Sequence, residues 1–227
     1  MEPAGLDVVI RLYDTSELPR LDHCVFSLLG QSLHADFPGP LRLHLMLQRL
    51  SLAEVQAVRT AMEPLRSLDE TASLTLHNWE HPEPIDLRVP LLNWGLEVAK
   101  GRYFTCLGTA ELLLPGACAK LLARLQTTRA ALALGGMATQ PVRWWGDVIL
   151  PLPATQPSSG SIADKPVDRR ASPVFLLDRA RVPLEDLVFR VSQPDAEIAE
   201  FLQRLRICCQ VDTECMADLL GLRQVPN

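Results

Sequence analysis

Short apolar segments alternate with segments of helical period over the first half of the chain, and this alternation limits the fold more than any other feature. Leu6 to Leu12 is rich in β-branched residues and predicts a buried strand. Leu41 to Leu47 and Ala72 to His77 predict two more strands, and a fourth is expected between the helix around Leu92 to Lys100 and the turn Leu107 to Glu111. Strands that alternate with helices are typical of a parallel sheet with right-handed crossovers.

The second half of the chain has a less regular pattern. Ala131 to Leu134 and Val142 to Leu150 predict two strands separated by a glycine pair. Pro151 to Ser172 is rich in proline, serine and charge and has no period, which predicts a mobile loop. Beyond it, Pro173 to Leu177 predicts a strand and Ala196 to Leu205 a helix. We therefore expect one α/β domain over residues 1 to 227.

Length and charge narrow the class of protein. A chain of 227 residues is long enough for one sizeable α/β domain. Its 22 basic and 27 acidic residues give a net charge of −5, so no basic field is expected to hold nucleic acid. The sequence has no apolar run near the ~20 residues that span a bilayer, and its first residues lack the pattern of a signal peptide. A cytoplasmic protein without a transmembrane segment is expected.

The turn Leu107 to Glu111 is the expected position of a ligand site. It follows the fourth strand, and ligands of open α/β sheets bind in the crevice at the carboxyl ends of the strands. Glu111 is the one carboxylate that the turn offers. The local sequence thus predicts where a site lies more firmly than what chemistry it performs.

Several motifs keep their order and spacing over most of the chain and together resemble a known family. The first is Val8 to Ile10 with Tyr13 and Asp14, followed by Ser27, Leu28 and Gln31; the others are Asn93-x-Gly95 with Gly101 and Tyr103, Leu112 to Ala117, and Pro173 to Arg179. This set resembles the family 2 glycosyltransferases of the GT-A fold. The resemblance implies a three-layer α/β/α fold with a mostly parallel central sheet, and an activity that transfers a sugar from a nucleotide sugar to an acceptor hydroxyl. It also implies a nucleotide-binding half over residues 1 to 128 and an acceptor half over residues 129 to 227.

The resemblance also assigns roles to individual residues. The residues it places at the nucleotide sugar are Tyr13, Asp14, Gln48, Arg49, Asn93 and Thr109. It places Glu197 at the position of the catalytic base, in the segment Glu197-Ile198-Ala199-Glu200. Glu111 is the one candidate ligand for a divalent cation, Mn²⁺ or Mg²⁺, which it would bind weakly through water molecules.

The chain departs from the family at each of its acidic motifs. The Asp-x-Asp turn that holds the cation is replaced by Gly108-Thr109-Ala110, and the aspartate after the second strand is replaced by Gln48-Arg49. Arg49 could meet a phosphate in place of the metal, because guanidinium groups match phosphate oxygens. The alternative is structural: Arg49 as a solvated residue at a strand end, Glu197 as part of a polar helix face, and Glu111 as a carboxylate favoured by a helix start.

Two functions follow from these observations. The first is a glycosyltransferase that binds a nucleotide sugar at the carboxyl ends of the first four strands. The second is a catalytically inactive pseudo-glycosyltransferase that acts as an interaction or scaffold module for a protein partner. A fold does not determine its chemistry, so the geometry of the site has to decide between them.

Overall fold

The computed structural model of the chain describes residues 5–32, 39–66, 72–84, 86–145, 148–151, 173–190 and 196–226. Apart from Pro151, the loop predicted over residues 151 to 172 lies outside the described residues. The strands are β1 Leu6–Leu12, β2 Leu41–Gln48, β3 Ala72–Trp79, β4 Tyr103–Gly108, β5 Glu111–Leu113, β6 Leu132–Trp145, β7 Val148–Pro151, β8 Val174–Asp178, β9 Val211–Asp212 and β10 Leu219–Pro226. The helices are α1 Leu18–Ser32, α2 Leu52–Arg66, α3 Arg88–Val98, α4 Ala117–Thr128 and α5 Glu197–Cys208.

The strands form one sheet with the spatial order β3-β2-β1-β4-β8-β6-β10-β5, and β7 and β9 also pair with β6. β3, β2, β1 and β4 are mutually parallel, so their carboxyl ends share one edge of the sheet. β8 runs antiparallel between β4 and β6. This order of strands brings the ends of β1 and β4 side by side at the edge where the sequence predicts a ligand site.

Helices cover both faces of the sheet. Val8 and Ile10 of β1 belong to a core cluster with residues of α1, α2 and α4. Val9, which points to the opposite face, belongs to a second cluster with residues of α3 and α5. The predicted three-layer α/β/α fold with a mostly parallel sheet is confirmed.

Two element boundaries that the sequence predicts from neighbouring residues are found in the structure. β1 covers the predicted segment Leu6–Leu12. The capping box at the start of α2 is present: the Ser51 N–H donates to Glu54 Oε2 at 2.8 Å, and the Glu54 N–H donates to Ser51 Oγ at 3.3 Å. No helix in the described parts of the chain combines the length and the apolar character needed to span a membrane.

One strand prediction is wrong. The segments expected as two strands around Gly135 and Gly136 form the continuous strand β6, which ends at Trp145 and is followed by β7. A Cβ on Gly136 would lie 2.8 Å from the carbonyl oxygen of Met216 and 2.7 Å from that of Asp218. The glycines therefore allow the segment before β10 to cross close to β6, and they do not break the strand.

A glycine also sets the distance between α3 and β1. A Cβ on Gly95 would lie 2.6 Å from Cγ2 and 2.7 Å from Cγ1 of Val9. The helix therefore packs against the strand more closely than any side chain would allow. This close packing positions the first turn of α3 beside the carboxyl end of β1.

Candidate functional site

Five side chains with ionisable groups gather at the carboxyl end of β1, and we call them the Tyr13 cluster. Its members are Arg11, Tyr13, Glu17, Arg88 and Glu197. Burial raises the pKa of the Tyr13 phenol, the charges of Glu197 and Glu17 raise it further, and those of Arg11 and Arg88 lower it. Residues from β1, the turn after it, α3 and α5 thus act on one another at the edge of the sheet.

Glu197 lies where α5 begins. It is the first residue of the helix and is only 3% exposed. Its Oε1 lies 3.4 Å from Nε of Arg88, which is itself the first residue of α3. A buried carboxylate needs such a partner, and the positive end of the helix dipole also favours its charge. The residue that the resemblance places as the base is therefore part of an ion pair at the expected edge of the sheet.

Arg88 connects three parts of this edge. Its Nη2 lies 2.6 Å from Asp86 Oδ2 and its Nε 3.0 Å from Asp86 Oδ1. Its carbonyl oxygen accepts a hydrogen bond of 3.4 Å from Nη1 of Arg11. The two guanidinium-bearing residues are thereby held next to each other at the start of α3.

Arg11 reaches this position from inside a buried strand. It pairs in register with Gly108 of β4, and its guanidinium carbon lies 5.7 Å from the centre of the Tyr13 ring. Arg11 and Arg88 were both missed by the sequence interpretation. The signal for Arg11 was present, because a charged residue in the apolar segment LDVVIRL has to be paired or functional.

The polar side chains of the turn after β4 are hydrogen-bonded to other residues of the protein. Glu111 is 7% exposed, and its Oε2 accepts a hydrogen bond of 2.8 Å from the Gly108 N–H. Burial raises the pKa of the Glu111 carboxyl, although the Gly108 N–H, Arg223 and Arg11 act in the opposite direction. Thr109 is 5% exposed and its hydroxyl donates to the carboxylate of Glu17.

These contacts do not fit a divalent cation. Mg²⁺ and Mn²⁺ need several oxygen ligands that converge on one point, and the turn offers a single carboxylate that is buried and bonded to its own backbone. In the described residues, no group of three or more His, Cys, Asp or Glu side chains could hold a metal ion. The turn by itself therefore does not supply the set of ligands that such a cation needs.

Two of the other predicted residues lie close to this edge but act within the fold. Asp14 is exposed, and its Oδ1 accepts a hydrogen bond of 2.8 Å from the Ser16 N–H, which caps the short turn ahead of α1. Gln48 is the last residue of β2, where it is half-buried and pairs in register with Trp79 of β3. Neither side chain belongs to the Tyr13 cluster.

Arg49 and Asn93 each tie down a loop. Arg49 has a φ of 52°, in the left-handed region; its Nε donates to the carbonyl oxygen of His81 at 2.8 Å and its Nη2 to that of Pro84. Asn93 exchanges two hydrogen bonds with the backbone of Phe189, at 3.0 Å from its Nδ2 and at 2.7 Å to its Oδ1. The guanidinium expected to meet a phosphate therefore holds the loop after β3.

Solved structures with the same arrangement of strands and helices were found by comparison. TarS 1-349 of S. aureus, solved in complex with UDP-GlcNAc, matches 98% of this chain with a TM-score of 0.65 at 12% identity. The mannosyltransferase PcManGT from Pyrobaculum calidifontis, solved with GDP-Man and Mn²⁺, matches 100% of this chain with a TM-score of 0.64 at 15% identity. The chain has a GT-A-type fold.

The likeness to these GT-A proteins concerns the fold and part of their length. The chain spans 59% of the TarS 1-349 chain and 58% of the mannosyltransferase chain. No protein-family model matches the sequence, and no curated protein matches it. The likeness to these structures therefore shows the fold alone.

Proposed function

We propose that this chain binds a nucleotide sugar at the carboxyl edge of its sheet and transfers the sugar to an acceptor hydroxyl without a bound metal. The observation that carries the proposal is the ion pair of Arg88 with the buried Glu197, next to Arg11. It combines two guanidinium groups with one carboxylate at the edge where ligands of α/β sheets bind.

The two arginines supply the charge that a cation would otherwise supply. Guanidinium groups form paired hydrogen bonds to phosphate oxygens and remain charged at any working pH. Arg11 and Arg88 together offer two positive charges for a diphosphate, and charge fixed in place stabilises a leaving group that becomes more negative. Arg11 and Arg88 take the phosphate-binding role that the sequence suggested for Arg49, because the Arg49 guanidinium donates to the carbonyl oxygens of His81 and Pro84.

Glu197 is the base in this proposal. The acceptor oxygen forms a bond to the anomeric carbon of the sugar, and the bond from that carbon to the diphosphate oxygen breaks with its electron pair leaving on the nucleoside diphosphate. The proton of the acceptor hydroxyl passes to Glu197. A diphosphate that binds Arg88 competes with Glu197 for the guanidinium group.

The test is nucleotide binding in the presence of a chelator. Calorimetric titrations with UDP, GDP and TDP in EDTA are expected to show saturable binding of one of them. Arg11→Gln and Arg88→Gln should each weaken it by about tenfold or more, since a hydrogen bond to a charged group contributes ~1.5 to 3 kcal/mol. Arg206→Gln, at an exposed position of α5, is the matched control and should bind as the parent does. Binding that requires Mn²⁺, or that ignores both arginines, contradicts the proposal.

A catalytically inactive interaction module is the second candidate. The observation in its favour is the turn after β4, where Glu111 is hydrogen-bonded to Gly108 and Thr109 to Glu17. It predicts that none of the three nucleotides binds or that a bound nucleotide sugar is never turned over. Release of nucleoside diphosphate from a nucleotide sugar, measured with and without candidate acceptors, distinguishes the two functions.

A further inference from the structure

A cavity of about 570 Å³ lies between the end of β3, the loop that follows it and the outer side of α3. It is separate from the Tyr13 cluster, none of whose side chains lines it. A volume of this size is typical of a pocket for a small molecule. Its lining combines two tryptophans with carboxylates, and this combination identifies the kind of ligand it suits.

Trp79 and Trp94 form an aromatic corner in the cavity. Their ring centres lie 5.8 Å apart and their planes are nearly perpendicular, at 78°. The Trp79 Nε1–H donates to the carbonyl oxygen of Glu83 at 3.2 Å, and Trp94 is supported by an edge contact with His77 at 5.4 Å. The two half-buried indoles that line the cavity are therefore held in a fixed orientation.

The two amide side chains of the cavity are bonded to the backbone. Asn78 accepts from the Leu50 N–H at 3.0 Å and donates to the Leu50 carbonyl oxygen at 2.8 Å. Asn93 is bound in the same way to the backbone of Phe189. These bonds engage one N–H and one oxygen lone pair of each amide and fix its orientation in the wall of the cavity.

The rim of the cavity is acidic. Glu80 and Glu97 are exposed carboxylates that line it, and neither makes an ion pair with any residue that the structure describes. Carboxylates only accept hydrogen bonds, and indole faces attract cations through their quadrupole. His81 is the remaining polar group of the lining, and the net charge of −5 adds a further attraction for cations.

We propose that this cavity, between Trp79, Trp94 and the carboxylates of Glu80 and Glu97, is a binding site for a small organic cation of the alkylammonium type. The ammonium group lies against the indole corner, and the two carboxylates neutralise its charge. Arg49 fixes the loop that forms one wall of the cavity, because it donates to the carbonyl oxygens of His81 and Pro84.

The test uses choline and its uncharged carbon isostere, 3,3-dimethylbutan-1-ol, which has the same shape and lacks the charge. The readout is the indole N–H signals of the protein in NMR titrations, with Trp79→Phe used to assign the Trp79 signal. Choline should shift the signals of Trp79 and Trp94 and saturate, and the isostere should bind at least about tenfold more weakly.

Glu80→Gln and Glu97→Gln remove charge at exposed positions and leave the shape of the cavity intact. Together they should weaken choline binding about tenfold and leave the isostere unaffected. Glu185→Gln, an exposed carboxylate elsewhere on the surface, should change neither. Equal binding of choline and the isostere, saturable binding of glucose in place of choline, or no saturable binding of choline each overturn the proposal.

Discussion

Arg88 Nε lies 3.4 Å from Glu197 Oε1, and this ion pair joins the first residue of α3 to the first residue of α5. The two helices pack on the same face of the sheet, and both begin at the edge where β1 and β4 end. A carboxylate with 3% exposure is thereby placed beside a guanidinium at this edge of the sheet. The Arg88 guanidinium could bind an anionic ligand, and the Glu197 carboxylate could accept a proton.

Replacing Glu197 by glutamine should separate binding from turnover. The side chain keeps its size and loses its charge, so any sugar transfer should fall about 100-fold or more, the usual contribution of a general base. Nucleoside diphosphate affinity should stay the same or rise, because one of the two carboxylates paired with Arg88, that of Glu197, has lost its charge while Asp86 remains. Product formation and calorimetry measure the two quantities. Glu200→Gln, one turn later on α5, is the control, and an equal loss of turnover in both variants would count against Glu197 as the base.

Replacing Glu111 by glutamine should stabilise the protein at alkaline pH. Burial raises the pKa of this carboxyl in the folded state above its ordinary value. Its contribution to stability is therefore greatest below the ordinary carboxyl pKa and is lost as the pH rises through the raised pKa. Glutamine keeps an oxygen for the Gly108 N–H, so the melting temperature should match the parent's near pH 4 and exceed it near pH 8. Mn²⁺ should shift neither protein, and a Mn²⁺ shift in the parent alone would assign a metal to Glu111.

Asp7 should contribute to stability at neutral pH and lose that contribution in acid. Burial alone would raise the pKa of its carboxyl, but hydrogen bonds from His44, Arg42 and the Gly101 N–H outweigh it and hold the pKa at about 2. Because the folded pKa lies below the ordinary 3.8, roughly 2 kcal/mol of stability is present above that pH and is lost as the pH falls through about 2.

Urea unfolding of Asp7→Asn across this pH range is the measurement. The variant should be less stable at pH 7 and should show a flatter pH dependence than the parent between pH 3.8 and about 2. Asp86 is a matched comparison, since Arg88 also lowers its pKa to about 2 while its side chain is 57% exposed. Solvent screens such a group, so Asp86→Asn should change stability little. A larger loss in Asp86→Asn than in Asp7→Asn would show that burial is not the deciding factor.

Two glycines of similar helical context should respond to alanine in opposite directions. Gly95→Ala places a Cβ against the Val9 side chain and should destabilise the protein by about 1 to 3 kcal/mol. Gly30→Ala in α1 meets nothing within 4 Å and should stabilise it by about 0.5 to 1 kcal/mol. Chemical denaturation of both variants measures the difference. Equal effects would mean that the close approach of α3 to β1 is not what Gly95 provides.

Much of the fold could be predicted from residues that are neighbours along the chain. The segment Leu6–Leu12 forms β1 as expected, and Ser51 and Glu54 cap α2 as their spacing indicates. The strand β6 could not be predicted, because Gly135 and Gly136 break strands in most contexts. Here they are needed for the close crossing of residues 216 to 220, which only the tertiary structure brings alongside.

The candidate site also has features that the sequence predicts and features that only the tertiary structure shows. The sequence by itself determined the order of β1 to β4 and of the helices between them, and the start of α5 near Glu197, because period, capping and motif spacing are properties of nearby residues. The tertiary structure decided which polar groups are available at that edge, because their partners come from distant segments. Arg49 is bound to the loop after β3 and Asn93 to Phe189, while Arg88 from α3 meets Glu197 from α5. A hydrogen bond between distant residues leaves no pattern in a single sequence, and it is such bonds that separate the residues able to meet a ligand from those that hold the fold.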